Sequence, residues 1–173
     1  MKIAFLAPRF HTNQIALVKY LLKSKNQVSF YVTRIGKSED HSSIKPKIIS
    51  LNYVSNLIKF FVKSNNDLFD YKYGMPSIKE LLKFKSNRYD LIIIREPNRL
   101  LSLIYFLWAK LIGVKIITYF QREVYKKKTF KSKDLIEKIF IKMSNDQCIS
   151  PCLGNIKFKK FTDKITYLPF CLP

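Results

Sequence analysis

Short apolar runs alternate along the chain with stretches in which apolar residues recur every three or four positions. The runs Lys2–Ala7, Gln27–Thr33, Lys47–Leu51, Tyr89–Arg95, Val114–Phe120, Gln147–Ser150 and Ile165–Leu168 predict strands. Most are continuously apolar rather than alternating, the pattern of strands buried on both faces of a parallel sheet. Between them, Ile15, Val18, Leu21 and Leu22 predict a helix capped by Thr12 or Asn13. Val54, Leu57, Ile58 and Phe61 mark one face of a second helix, whose ordinary reading is that this face meets the core. Residues 65–74 read as loop, and Pro76 suits the first turn of a helix running through Ile78, Leu81 and Leu82 to Phe84. Asn98 is placed to cap an almost wholly apolar helix that Gly113 closes, and Leu135, Ile136, Ile139, Phe140 and Met143 mark another.

This order predicts an α/β fold, a doubly wound, Rossmann-like and mostly parallel sheet with right-handed crossovers, in one domain over residues 1–173. Such sheets bind ligands outside the carboxyl ends of their strands. The loops expected there carry Arg9, His11, Thr12 and Asn13 after the first strand and Arg95, Glu96, Pro97 and Asn98 after the fourth. Gln121, Arg122 and Glu123 follow the fifth and Ser150 ends the sixth. A rim of arginines, a histidine and glutamates suits a polar ligand, phosphorylated or rich in hydroxyls. Against this stands a structural reading, in which His11 caps or packs and Arg95 pairs with Glu96. No GxGxxG follows the first strand and no P-loop occurs, so the domain alone is not expected to grip a nucleotide pyrophosphate. HExxH and GxSxG are also missing.

Composition sharpens the choice of partner. Lys+Arg number 32 against 12 Asp+Glu, a formal charge of +20, which favours an anionic partner. Lysine predominates, and diffuse attraction to a charged surface needs only point charges, whereas bidentate recognition prefers arginine. A plainer source is codon bias that leaves a solvated basic face. The three cysteines, Cys148, Cys152 and Cys171, form neither a disulfide framework nor a zinc motif, and no metal site is expected. No signal peptide is visible. The apolar core Leu100–Ala109 falls short of the ~20 residues a membrane span needs.

Two basic regions point to a surface contact. Tyr125–Lys133 contains Lys126, Lys127 and Lys128 with aromatic neighbours, and the Val54–Lys63 helix carries Lys59, Phe60 and Lys63. Together they suit aromatics dipping into an anionic membrane while lysines meet headgroups. A core-facing helix and a solvated loop are the alternatives.

With these residues placed, the chain resembles the N-terminal half of a GT-B glycosyltransferase of the retaining family 4 type. The resemblance lies in Met1–Pro8 with its following helix, Tyr89–Arg95, Gly113–Glu123, Ser150-Pro151 and Ile165–Pro169. It implies an N-terminal domain that binds a sugar or lipid-linked acceptor at the cytoplasmic face of the cell membrane. It implies no cofactor held by this domain alone, the nucleotide-sugar donor being bound by a C-terminal domain in cis or on a separate partner chain. The first loop departs from the family pattern, with Pro8-Arg9-Phe10-His11-Thr12 where Gly-Gly is usual, and Gln121 stands where a histidine is common. A non-catalytic membrane scaffold therefore remains open. A nucleic-acid module is disfavoured because basic residues are scattered rather than gathered on one recognition element.

Overall fold

A computed structural model describes residues 1–10, 12–36, 40–62, 67–120, 139, 142–144, 148–150 and 165–167; for 12, 13, 62, 67, 68, 148–150, 165 and 167 the description is of backbone only. Among the described residues seven parallel strands form one sheet in the order β3-β2-β1-β4-β5-β6-β7. In chain order these are β1 (Lys2–Leu6), β2 (Gln27–Val32), β3 (Lys47–Ile48), β4 (Leu91–Arg95), β5 (Lys115–Tyr119), β6 (Cys148–Ser150) and β7 (Ile165–Tyr167). The helices are α1 (Thr12–Lys23), α2 (Tyr53–Val62), α3 (Asp67–Tyr73), α4 (Ile78–Ser86) and α5 (Leu100–Leu111). The order reverses direction between β1 and β4, so the doubly wound expectation holds and the switch point lies between those two strands.

Strand alternation divides the core. Ala4, Leu6, Tyr31, Ile92, Ile94 and Ile116 face α4 and α5, where they meet Phe84, Leu101, Tyr105, Phe106 and Ala109. Ile3, Phe5, Phe30, Val32, Leu91, Ile93 and Tyr119 face the other way, against Ile15 and Val18 of α1 and against Phe10. Phe5 stacks on Phe30 with ring centroids 4.7 Å apart, and Phe10 meets Phe30 edge-on at the same separation. Both layers are apolar and rich in aromatic rings, which is why the strands read as unbroken apolar runs.

Several boundaries differ from the sequence expectation, each for a local reason. Residues 67–73 form α3 instead of loop, because the buried Tyr71 and Asp70 find partners described below. β3 ends at Ile48; Leu51 instead makes an antiparallel bridge to Pro76. Pro76 therefore precedes α4, whose N-cap is Ser77, its side chain accepting from the backbone N–H of Glu80 at 3.2 Å. Arg99, not Asn98, holds the N-cap position of α5. Of the helix expected around residues 135–143, only Ile139, Lys142 and Met143 are described, and they are helical.

Tyr31, Tyr71 and Tyr105 are each at most 1% exposed. The Tyr31 and Tyr89 hydroxyls share a hydrogen bond of 2.8 Å. The Tyr105 hydroxyl is buried with no hydrogen-bond partner among the described residues. Burial pushes the ionisation of Tyr31, Tyr71 and Tyr105 well above the usual phenol range. Phenol pKa values raised in this way leave stability intact below the ordinary value of 10.0. Above it the unfolded chain releases phenolic protons that the folded chain retains, so stability falls as pH rises, by about 1.4 kcal/mol per pH unit for each such tyrosine. Urea unfolding between pH 9 and 11.5 should show that decline, and Tyr105→Phe should make it shallower. At pH 7 the same variant should be neutral or up to about 1 kcal/mol more stable, since it removes an unpaired buried hydroxyl. A destabilisation of more than about 1 kcal/mol would mean that the hydroxyl is satisfied.

Candidate functional site

Because every strand pair is parallel, the strands all end on the same edge, and β1 and β4 end side by side at the switch point. Register carries the edge onward: Leu6 lies opposite Ile94, Arg95 opposite Tyr119, Tyr119 opposite Ile149 and Ser150 opposite Tyr167. The described segments leaving β1 and β4 form the candidate rim.

The loop after β1 is pinned on two sides. Thr33, just beyond β2, binds the Pro8 carbonyl with both its backbone N–H at 3.1 Å and its hydroxyl at 2.9 Å. Phe10 is buried against Phe30. Arg9, held between these anchors, is partly exposed with its Nε shielded from solvent. α1 starts at Thr12, so its amino end, with its positive dipole, opens at the switch point. Gln14 in its first turn is completely buried.

The turn after β4 is more constrained. Arg95, the last residue of the strand, is only 8% exposed, with Nε and Nη1 shielded. Its alternation with Leu91 and Ile93 puts its side chain on the α1 side of the sheet. Its carbonyl accepts a hydrogen bond from the Tyr71 hydroxyl of α3, a phenol that burial keeps protonated. Glu96 then adopts φ +47°. Among the described residues two other non-glycine residues have positive φ, Lys25 and Arg88, and both lie just past helix ends where such a conformation is an ordinary stop. Glu96 lies at a strand end instead, and its conformation costs about 1–2 kcal/mol. Four contacts hold it there: its N–H donates to the Tyr119 carbonyl at 3.0 Å, and its carbonyl accepts from the Ser102 hydroxyl at 2.7 Å and the Arg99 N–H at 3.3 Å. Its carboxylate meets Arg99 Nε at 3.3 Å.

The expected site residues thus fall into two groups. Arg9, Arg95 and Glu96 come from adjoining strand ends, and Ser150 ends β6 further along the same edge. Glu96 pairs with Arg99 in the turn, so the structural pairing weighed for Arg95 belongs to a different arginine. His11, Gln121, Arg122 and Glu123 lie outside the described residues, as do Lys63, Lys126, Lys127 and Lys128. Lys59 does not project with Phe60; its Nζ lies 2.7 Å from the buried Asp70 carboxylate. Sequence reading missed Arg99, Ser102 and Tyr71. Arg99 and Ser102 stand three and six residues after Glu96, one and two helical turns along, and that spacing could have found them. Tyr71 sits in the segment read as loop, where nothing marks it. Among the described residues no group of three His, Cys, Asp or Glu could hold a metal ion.

No family model matches the sequence, and no curated protein matches it. Solved structures do share its fold. HepE of Anabaena in complex with UDP and glucose superimposes with a TM-score of 0.62 at 10% identity, over 98% of this chain and 44% of HepE. HepE with UDP-glucose gives 0.59 at 12% identity, again over 98% and 44%. The MnaA–UDP structure from S. aureus gives 0.52 at 13% identity, over 96% of this chain and 43% of MnaA. The chain spans less than half the length of these proteins, and its fold is GT-B-like, matching a single Rossmann-like half.

Two substitutions test the constrained turn. Glu96→Gly removes a strained conformation, so its urea-unfolding free energy should be unchanged or higher by up to about 1 kcal/mol. A loss greater than about 1 kcal/mol would show that the carboxylate contacts outweigh the strain. Tyr71→Phe strands the buried Arg95 carbonyl and should cost about 1–2 kcal/mol by the same measurement.

Proposed function

We propose that the chain is the acceptor-binding half of a glycosyltransferase that moves a sugar from a nucleotide-sugar to a cell-surface polysaccharide or lipid-linked acceptor. The donor-binding half would be supplied in cis or by a separate chain. The observation that carries the reading is the near-complete match of this chain to under half of proteins solved with UDP or UDP-glucose. The lack of any glycine-rich pyrophosphate loop after β1 supports assigning the nucleotide to the other half. The retaining family 4 character rests on the sequence segments alone.

In this reading the rim at the β1 and β4 ends receives the acceptor. Arg9 and Arg95 supply fixed positive charge for a phosphate or for sugar hydroxyls. Arg95 is held by a buried strand end and its Tyr71 tether, so its position costs little to organise on binding. The Glu96 carboxylate can accept a hydrogen bond from an acceptor hydroxyl, orienting its oxygen towards the anomeric carbon of the donor. Arg99 holds that carboxylate in place. Transfer forms the bond from acceptor oxygen to anomeric carbon and breaks the bond from that carbon to the diphosphate oxygen; the nucleoside diphosphate leaves with the electron pair and takes up the acceptor's proton. The passive scaffold remains the second reading, favoured by the departure from Gly-Gly in the Pro8–Thr12 loop.

The test is ligand-observed NMR on the 173-residue chain with two probes, UDP-glucose and a short-chain prenyl-diphosphate-linked N-acetylglucosamine. The lipid-linked sugar should bind, and Arg9→Ala should weaken it about tenfold or more, as expected for loss of a charge-assisted hydrogen bond. UDP-glucose alone should bind weakly. Tight UDP-glucose binding without the lipid-linked sugar would make this the donor half, and binding of neither would favour the scaffold.

A further inference from the structure

α2 is built inside out. With about 100° of rotation per residue, Phe60, Tyr53, Leu57, Phe61, Val54 and Ile58 fill one arc of about 160°. That arc faces solvent: Phe60 and Phe61 are 77% exposed, Tyr53 75%, Val54 50%, Ile58 42% and Leu57 38%. The opposite side, turned to the protein, is polar. Ser55 is buried, and its hydroxyl accepts the Met75 N–H at 2.8 Å. Lys59, one turn on, reaches the buried Asp70 carboxylate at 2.7 Å. The Asn52 side chain accepts the Ser55 N–H at 2.8 Å, fixing the amino end of the helix. Three polar anchors therefore set the rotation of α2, and they set it so that its apolar residues point away from the core. The expectation of an ordinary core-facing helix is overturned.

We infer that α2 is a membrane-docking element whose apolar face lies in the interfacial region of an anionic lipid bilayer. Exposed apolar clusters of this kind mark interaction surfaces. Charge selects the occupant. A chain of net +20 repels a second copy of itself and is drawn to a negative surface. The border of the patch has interfacial chemistry as well. Tyr53 opens the helix, and on the neighbouring α3 the exposed Lys72 ammonium lies 4.5 Å from the ring centre of Tyr73, itself 45% exposed. Tyrosine hydroxyls and lysine ammonium groups sit at headgroup level while the rings and stems beside them enter the apolar layer. α2 is too short to span a bilayer, and no described helix is long and apolar enough to do so. It would lie in the membrane plane, with Phe60 and Phe61 deepest. Lys59 takes no part, being committed to Asp70. The inference is independent of the sugar-transfer reading, since it rests on exposure and charge alone.

Sedimentation of the 173-residue chain with vesicles tests it. Vesicles of phosphatidylcholine with one quarter phosphatidylglycerol should bind the chain at least about tenfold more strongly than pure phosphatidylcholine, with affinity falling as salt rises. Phe60→Ser with Phe61→Ser should weaken anionic-vesicle binding at least about tenfold, because it removes two large buried rings from the bound state. Its urea midpoint should not fall, both rings being exposed in the free protein. A second variant needs no loss of binding: Phe61→Trp should gain quenching by lipids brominated on their acyl chains, measured against the Trp108 background. Unchanged binding by the double variant, or an unquenched Trp at position 61, would overturn the proposal. So would a dimer detected by light scattering that the double variant abolishes while vesicles bind neither protein.

Discussion

The pairing of β1 with β4 is the contact on which the rest of the molecule depends. It joins residues 3–6 to residues 91–94 across a long stretch of chain, and the two strands between them in sequence, β2 and β3, lie beyond β1. The seam is locked at its amino end, where the Asp90 N–H donates to the Lys2 carbonyl at 2.9 Å and the Lys2 N–H donates to the Asp90 carboxylate at 2.6 Å. At its carboxyl end the strand order reverses, the place where open α/β sheets bind their ligands. The Rossmann-like strand order and the placing of Arg9 and Arg95 at neighbouring strand ends follow from that one adjacency.

Around the seam, the structure orders polar groups where a ligand would need them and leaves apolar groups where a surface would. α3 links the two. Through Tyr71 it ties down the end of β4, and through Asp70 it holds Lys59 and with it the rotation of α2. Gly74 makes this seat possible, since a Cβ there would come within 2.3 Å of the Asp70 carbonyl oxygen. A short helix that reads as loop thus orients both the candidate site and the candidate membrane face. A chain drawn to a bilayer by α2 would meet a lipid-linked acceptor with its rim already organised.

The sheet was legible because burial on both faces leaves a simple signature. β1, β4 and β5 are continuous apolar runs, and their parallel order follows from the helices between them. The strand-end rule then led to Arg9, Arg95 and Glu96 without any motif. What could not be read were features set by tertiary partners. The positive φ of Glu96 depends on Tyr119 and Ser102, and glutamate carries no sign of it. α3 forms from Asp-Leu-Phe-Asp-Tyr-Lys-Tyr, a segment without helical periodicity, because two of its residues are satisfied by distant elements. The rotation of α2 was hidden for a related reason. Amphipathicity says that a helix has two faces but not which one the protein keeps, and Ser55 and Lys59 decided against the usual outcome.

The central claim is that ligand meets this half at the carboxyl ends of β1 and β4. Amide hydrogen exchange of the chain, with and without a prenyl-diphosphate-linked sugar at saturating concentration, tests it most directly. The account expects added protection in the segments 7–10 and 95–99, with the opposite edge of the sheet, at residues 25–27, 88–90 and 113–115, unchanged. Protection confined to that opposite edge, or none at either edge under conditions where the sugar binds, would contradict it.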